Sequence, residues 1–198
     1  MTVTPASPKA RATRAALVRS ATEMFVESGY GAVSVRDLAR RTSLTSGAIY
    51  GHFRNKADLL AAAIAERITM DLEAPRYGRS GLTDYLARQW RAYRARAGLR
   101  ALLVEGAHAA HVDPEVRYQL GELQEAKLRE WRDIYRQLQR DEGVFPDVDM
   151  DTLVLLLWAT ELGLGVLEAW DVELPKPAAW SSLLRKLLES LDAKPSSP

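Results

Sequence analysis

The chain has no cysteine, which excludes disulfides, thiolate metal sites and cysteine nucleophiles. Histidine is scarce too, with only His52, His108 and His111. No glycine-rich phosphate loop, nucleophile elbow or dinucleotide fingerprint is present. Period-2 alternation, internal repeats and low-complexity blocks are likewise missing, so the sheet-based classes drop out. The opening residues "MTVTPASPKARATRAAL" lack an apolar core of the signal-peptide kind, which predicts a cytoplasmic protein. One apolar run, Leu153–Val166, raises the question of a membrane span. It is shorter than the ~20 residues a bilayer requires and contains Glu161, so it reads as a core or subunit-interface helix with no membrane partner.

What remains is an ordinary globular composition, 47% hydrophobic and 27% charged over 198 residues. The net charge of +1 conceals an asymmetry. Residues 1–56 hold nine Lys/Arg against three Asp/Glu, a net of +6, and residues 57–198 hold eighteen against twenty-three, a net of −5. A basic front end on an acidic body points one end toward a polyanion, a solvated charged surface being the alternative.

Helical periodicity runs throughout. Leu17, Ala21 and Phe25 share a face of a first helix over 11–28 that stops at Gly29. Ser34 and Asp37 form a capping-box pattern ahead of Leu38, and the second helix ends near Thr42. A tight turn follows, and then "TSGAIYGHF", read as a helix with Gly47 and Gly51 at i and i+4. Asn55 caps a fourth helix running to about Leu72. The stretch 73–81, with Pro75, Gly78 and Gly81, reads as a connection. The next helix, with Leu82, Leu86, Trp90 and Tyr93 on one face, is expected to end at Gly98. After it come an apolar helix ending at Asp113-Pro114, a long amphipathic one to Gly143, an apolar one over 151–174 and a last one over 180–191.

On a helical wheel Ile49 and Phe53 face inward, while Gly47 and Gly51 face out beside Tyr50, Ala48 and His52. An outward face without side chains has one good reason to exist: another surface approaches its backbone. A helix, a short turn and a second helix form a helix-turn-helix, whose second helix enters the major groove of DNA. Arg36, Arg40, Arg41, Arg54 and Lys56 surround it, and Thr45 and Ser46 stand at its N-terminus, where phosphates are welcome. Arg36 is the foremost candidate for bidentate pairing with guanine and Lys56 for a phosphate clamp. Arg40 and Arg41 read as solvated helix charges. Tyr50 reads as a DNA contact or as a packed side chain with its hydroxyl in water, and His52 as a contact or a bystander.

The stretch "ALVRSATEMFVESGYGAVSVRDLARRTSLTSGAIYGHFRNKADLL" resembles the N-terminal domain of the TetR family of transcriptional regulators. Tyr30, Tyr50 with Phe53, and Asn55-Lys56 carry that likeness, which covers about residues 10–65; beyond it only the all-helical layout is similar. The resemblance implies an all-α protein with a three-helix helix-turn-helix head on a larger helical regulatory body. It divides the chain into a DNA-binding domain over 9–56 and a ligand-binding and dimerisation domain over 57–192. The segments 1–8 and 193–198 read as disordered tails. It further implies a homodimer, joined by the helices over 151–174 and 180–191 in a four-helix interface, that binds a palindromic DNA operator and is released by a small, largely apolar effector. Matched positions imply DNA contacts from Ser34, Arg36, Thr45, Ser46, Gly47, Ala48, Tyr50, Gly51, His52 and Lys56. Two positions depart from the family pattern. Gly51 stands where relatives often carry a larger side chain, and Ser43 stands where a turn glycine is usual.

For the effector, Trp90, Tyr93, Trp131, Tyr135 and Trp158 are candidate pocket aromatics, with Glu105, His108, Gln124 and Glu161 as polar handles. The competing reading of each aromatic is that it fills a core. Glu105 and His108 also make the Glu-x-x-His step of helical di-metal sites, with His111 one step on. No second copy exists, so no metal, cofactor or enzymatic activity is expected. A helix-turn-helix protein without a sensor is the remaining alternative.

Overall fold

The computed structural model describes residues 7–71, 90, 91 and 93–192. The break expected over 73–81, the positions of Leu82 and Leu86, and the tails over 1–6 and 193–198 lie outside these residues; Ser7 and Pro8, expected in the disordered tail, are instead the cap and first residue of the first helix. Among the described residues there are eight α-helices and no strand: α1 (Pro8–Ser28), α2 (Val35–Thr42), α3 (Ser46–Tyr50), α4 (Lys56–Asp71), α5 (Ala97–Val112), α6 (Pro114–Glu142), α7 (Met150–Ala169) and α8 (Pro177–Asp192). A 3-10 turn, Tyr93–Arg96, leads directly into α5.

Local chemistry sets most of the boundaries. Ser7 caps α1 with Pro8 at its first position, and Gly29, at φ 80°, ends it in a conformation L side chains avoid. The capping box at α2 is formed in full. Asp113 Oδ1 accepts from the Glu115 N–H at 2.9 Å, which starts α6 at Pro114. Asp149 caps α7 by accepting from the Thr152 N–H. Four expectations are corrected. The apolar helix expected over 151–174 ends at Ala169, with Trp170 as its C-cap. Gly98 does not end a helix but lies in the first turn of α5, because the break falls at the 3-10 turn before it. The last helix begins at Pro177 rather than Trp180, since proline suits the first helical turn. The fourth concerns α3, which stops at Tyr50, so that Gly51 is its C-cap and not part of its interior.

The chain packs as two compact units. The first takes the described residues up to Ile68 together with Ala101–Leu123. Its core holds Leu17, Ala21 and Phe25 of α1, Leu38 of α2, Ile49, Phe53, and Leu59, Leu60, Ile64 and Ile68 of α4. Gly106 sits where a Cβ would come within 2.8 Å of the Leu120 side chain and 3.1 Å of that of Ile64. The missing side chain is what lets α5 lie against its two neighbours.

The second unit, Thr69–Arg100 and Gln124–Pro198, has two apolar clusters. One gathers Tyr135, Leu138, Phe145, Met150, Leu153, Val154 and Leu188, with Trp131 packed on it. Trp131 meets Trp158 edge-on at 5.1 Å. The other joins Trp90, Tyr93 and Leu164, with Trp180 against them. Beside this second cluster lies a buried ionic network. Arg96 donates to Glu161 through Nε and a terminal nitrogen, at 3.1 and 2.8 Å. Arg100 donates to Glu161 at 2.9 Å, to Glu168 twice at 2.6 Å, and to the Tyr93 carbonyl at 2.7 Å. Burial disfavours the Arg100 charge, but the bonds to Glu168 and Glu161 outweigh it and hold its pKa above the usual value.

Candidate nucleic-acid interface

The Ser34 hydroxyl accepts from the Asp37 N–H, and Asp37 in return accepts from the Ser34 N–H at 3.0 Å and its hydroxyl at 2.5 Å. These bonds hold the Asp37 carboxyl below its usual pKa. Both donors of Ser34 are thereby used within the protein. Ser34 thus starts α2, and its expected DNA contact would require its hydroxyl or N–H to leave Asp37.

The turn between α2 and α3 follows the helix-turn-helix plan. Ser43 sits at φ 55° and ψ 32°, the left-handed region, so the departure from glycine is met with strain, not avoided. That conformation costs an L residue ~1–2 kcal/mol. The Ser43 and Leu44 N–H groups donate back to the Arg40 and Ala39 carbonyls, which closes α2. Thr45 caps α3, its hydroxyl oxygen accepting from the Ala48 N–H at 3.1 Å, which leaves its own O–H to donate outward. With only five residues, α3 has little macrodipole; its contribution is short-range, from the unpaired N–H groups of its first turn.

Ile49 and Phe53 are buried, while Gly47, Ala48, Tyr50 and Gly51 are exposed, Tyr50 to 55%. Tyr50 is therefore not a packed side chain. A Cβ on Gly47 would have only the Thr45 hydroxyl near it, at 3.9 Å, and neither glycine has positive φ. A Cβ on Gly51 would come within 3.3 Å of the Ala48 carbonyl oxygen, so that position is tight within its own turn, whereas among the described residues nothing covers Gly47. Beside it, Arg36, Ala39, Arg40, Ser43, Leu44, Thr45 and Ser46 line an open groove of about 560 Å³.

The basic side chains divide into two kinds. Arg40 is bound to Asp37, Arg54 lies 3.5 Å from Asp58, and Arg41 pairs with Glu23 and Glu27 of α1 at 2.8 and 3.1 Å. Arg41 is thus an exposed charge that also ties α2 to α1. Arg36 is exposed and has no hydrogen-bond or carboxylate partner among the described residues. Lys56 differs from expectation. Its ammonium donates to the Tyr30 and Val33 carbonyls at 2.8 and 3.1 Å and lies 4.0 Å from the Tyr30 ring centroid. Burial lowers its pKa, with Asp113 opposing. Lys56 is a strut joining α4 to the α1–α2 connection in place of a free clamp. Burial, reinforced by Asp113, likewise pushes the Tyr30 hydroxyl up to about 12.

The expected effector residues are divided between the two units. Glu105 belongs to the first unit, where its carboxylate accepts from the Tyr30 N–H at 2.8 Å beside Gly29. His108 is exposed on the same helix. Glu161 is consumed by Arg96 and Arg100, and Tyr135 is core. Trp90 and Tyr93 pack on Trp180 at 5.7 and 6.3 Å. Trp131, Trp158 and Gln124 remain, the last with a buried side-chain oxygen that lacks a hydrogen-bond partner. The residues that sequence reasoning missed are Arg96 and Arg100. Their i, i+4 spacing against Glu161 and Glu168 at i, i+7 was the available signal.

The fold and this site define a helix-turn-helix DNA-binding head on an all-helical body. Residues 17–63 match the family model described as bacterial regulatory proteins, tetR family. The transposon Tn10 TetC protein of Escherichia coli is 42% identical over 60 residues, 30% of each chain. In solved structures, Salmonella enterica GusR superposes with a TM-score of 0.72 at 26% identity, covering 91% of this chain and 95% of that one. A transcriptional regulator from Rhodococcus sp. Rha1 gives 0.68 at 20% identity, with 92% and 100% covered. Over residues 17–63 the chain is similar to the N-terminal domain of the TetR family, and its fold as a whole is similar to that of these regulators. Its matches to the curated relatives span less than half of their length.

Proposed function

We propose that the chain is a transcriptional regulator, acting as a repressor, that binds a palindromic operator as a homodimer and leaves it when a small effector occupies the body. The observation that carries this reading is the exposed, side-chain-free strip at Gly47 and Gly51 with the unpaired Arg36 beside it. A duplex is the surface that fits closely against a bare helix face flanked by cations and hydroxyls.

The dimer reading is supported by a second exposed surface. α7 presents Leu155, Leu156, Ala159, Gly163, Val166 and Leu167, and α8 presents Leu183, Leu187 and Leu191. α7 is long and apolar enough to cross a membrane, but its other face is buried and carries the Glu161 network. Two such stripes from each protomer suit a four-helix interface, which sets recognition elements about 34–36 Å apart on DNA. For the effector, the Gln124 oxygen and the Trp180 indole N–H, both buried without partners, favour a molecule with hydrogen-bonding groups on an otherwise apolar frame.

The test is selection of sheared genomic DNA by the purified full chain. Recovery of a few palindromic sites, each bound by two copies, is the expected result. Diffuse coverage would leave an architectural DNA binder, and no recovery at low salt would remove DNA binding altogether.

A further inference from the structure

We propose that Arg14, on α1 and outside the helix-turn-helix, is a phosphate contact of the same DNA-binding head. The assignment rests on the DNA-binding reading above. Arg14 is exposed, and its guanidinium carbon lies 4.7 Å from the centroid of the Phe53 ring. Phe53 is buried two residues beyond Gly51, so the stacking holds a positive charge beside the end of the recognition element. A guanidinium lying on a ring keeps its N–H edge free at the periphery, and that edge is what a phosphate takes up.

Apart from the Phe53 ring, no described group of the head engages this charge. The carboxylates of Glu23 and Glu27 are committed to Arg41, that of Asp37 to Ser34 and Arg40, and that of Asp58 to Arg54. Among the described residues Arg14 has no carboxylate or hydrogen-bond partner. Its surroundings are also of one sign. Lys9, Arg11, Arg14 and Arg19 precede the first acidic residue of α1, Glu23. Lys9 and Arg11, in the first turn, oppose the helix dipole, and the four like charges repel one another, which works against the Arg14–Phe53 contact in the isolated protein. A polyanion alongside reverses the sign of that balance. Because Arg14 lies on α1 and not on the strip facing the groove, its contact is to the backbone and carries no base preference.

The experiment uses the full chain and a duplex recovered in the genomic selection. Affinity is followed between about 50 and 200 mM salt, where each phosphate neutralised contributes about 0.9 to the log–log slope. Arg14→Gln should reduce the slope by about that amount and weaken selected and scrambled duplexes by the same factor, whereas Arg14→Lys should retain the slope. Replacing single phosphates by uncharged methylphosphonates gives a second reading that is independent of folding. One replacement should weaken the wild type and leave Arg14→Gln unaffected. An Arg14→Gln chain with the wild-type slope, or no phosphate whose replacement distinguishes the two, would reduce Arg14 to a cover over Phe53. Absence of DNA binding by the wild type would remove this assignment and the regulator reading together, but an unchanged slope in a chain that binds removes Arg14 alone.

Discussion

Arg36 and Arg41 stand five residues apart in a basic head, yet only one of them is available to DNA. Arg41 has two glutamates on α1, and Arg36 has no partner among the described residues. The difference is invisible in sequence, because Glu23 and Glu27 are distant along the chain and meet Arg41 only once α1 and α2 pack. Arg36→Ala should therefore weaken binding to a selected operator by ~1–3 kcal/mol and relax the preference at one base position. Titrations on operator and single-base variants measure both effects. The Lys56 side chain carries the same lesson: its position ahead of α4 was legible, but the carbonyls that claim its ammonium come from another connection.

Among elements, those defined by local rules were the legible ones. The capping box at Ser34, the Asp113-Pro114 start of α6 and the inward pair Ile49 and Phe53 all follow from spacing. The end of α3 and the 3-10 turn before α5 were not legible, since both depend on which backbone carbonyls the fold leaves accessible. The strained turn gives a direct test. Ser43→Gly relieves a left-handed serine and should stabilise the head by about 1 kcal/mol, read as a higher melting temperature. The second-unit helices give another. Removing the carboxylate in Glu161→Ala takes an ion-pair partner from two buried arginines and should cost ~3–5 kcal/mol of stability in denaturant unfolding. A loss confined to effector binding, with stability intact, would instead return Glu161 to a pocket.

In the molecule as a whole, the sequence shows a basic end and an acidic body, and the structure adds two exposed surfaces with different chemistry. One is small, polar and bare at α3; the other is an apolar face on α7 and α8. Leu156, 61% exposed, lies on the apolar face that the proposed dimer would cover. Leu156→Asp should convert a dimer to monomers in sedimentation equilibrium and reduce operator affinity without unfolding the protomer. The pocket was the least legible feature, because aromatics at helical spacing fill cores and line cavities with the same pattern. Trp90, Tyr93 and Tyr135 turned out to be packed, and Glu161 paired.

The measurement that reaches the central claim most directly is the affinity of Gly47→Leu for a selected operator, taken beside its melting temperature. Gly47 has open space around it, so a leucine there leaves the protein's own packing undisturbed. The account predicts a wild-type melting temperature with operator binding lost, because the new side chain holds the duplex away from α3. A folded Gly47→Leu protein that bound its operator with wild-type affinity would contradict it.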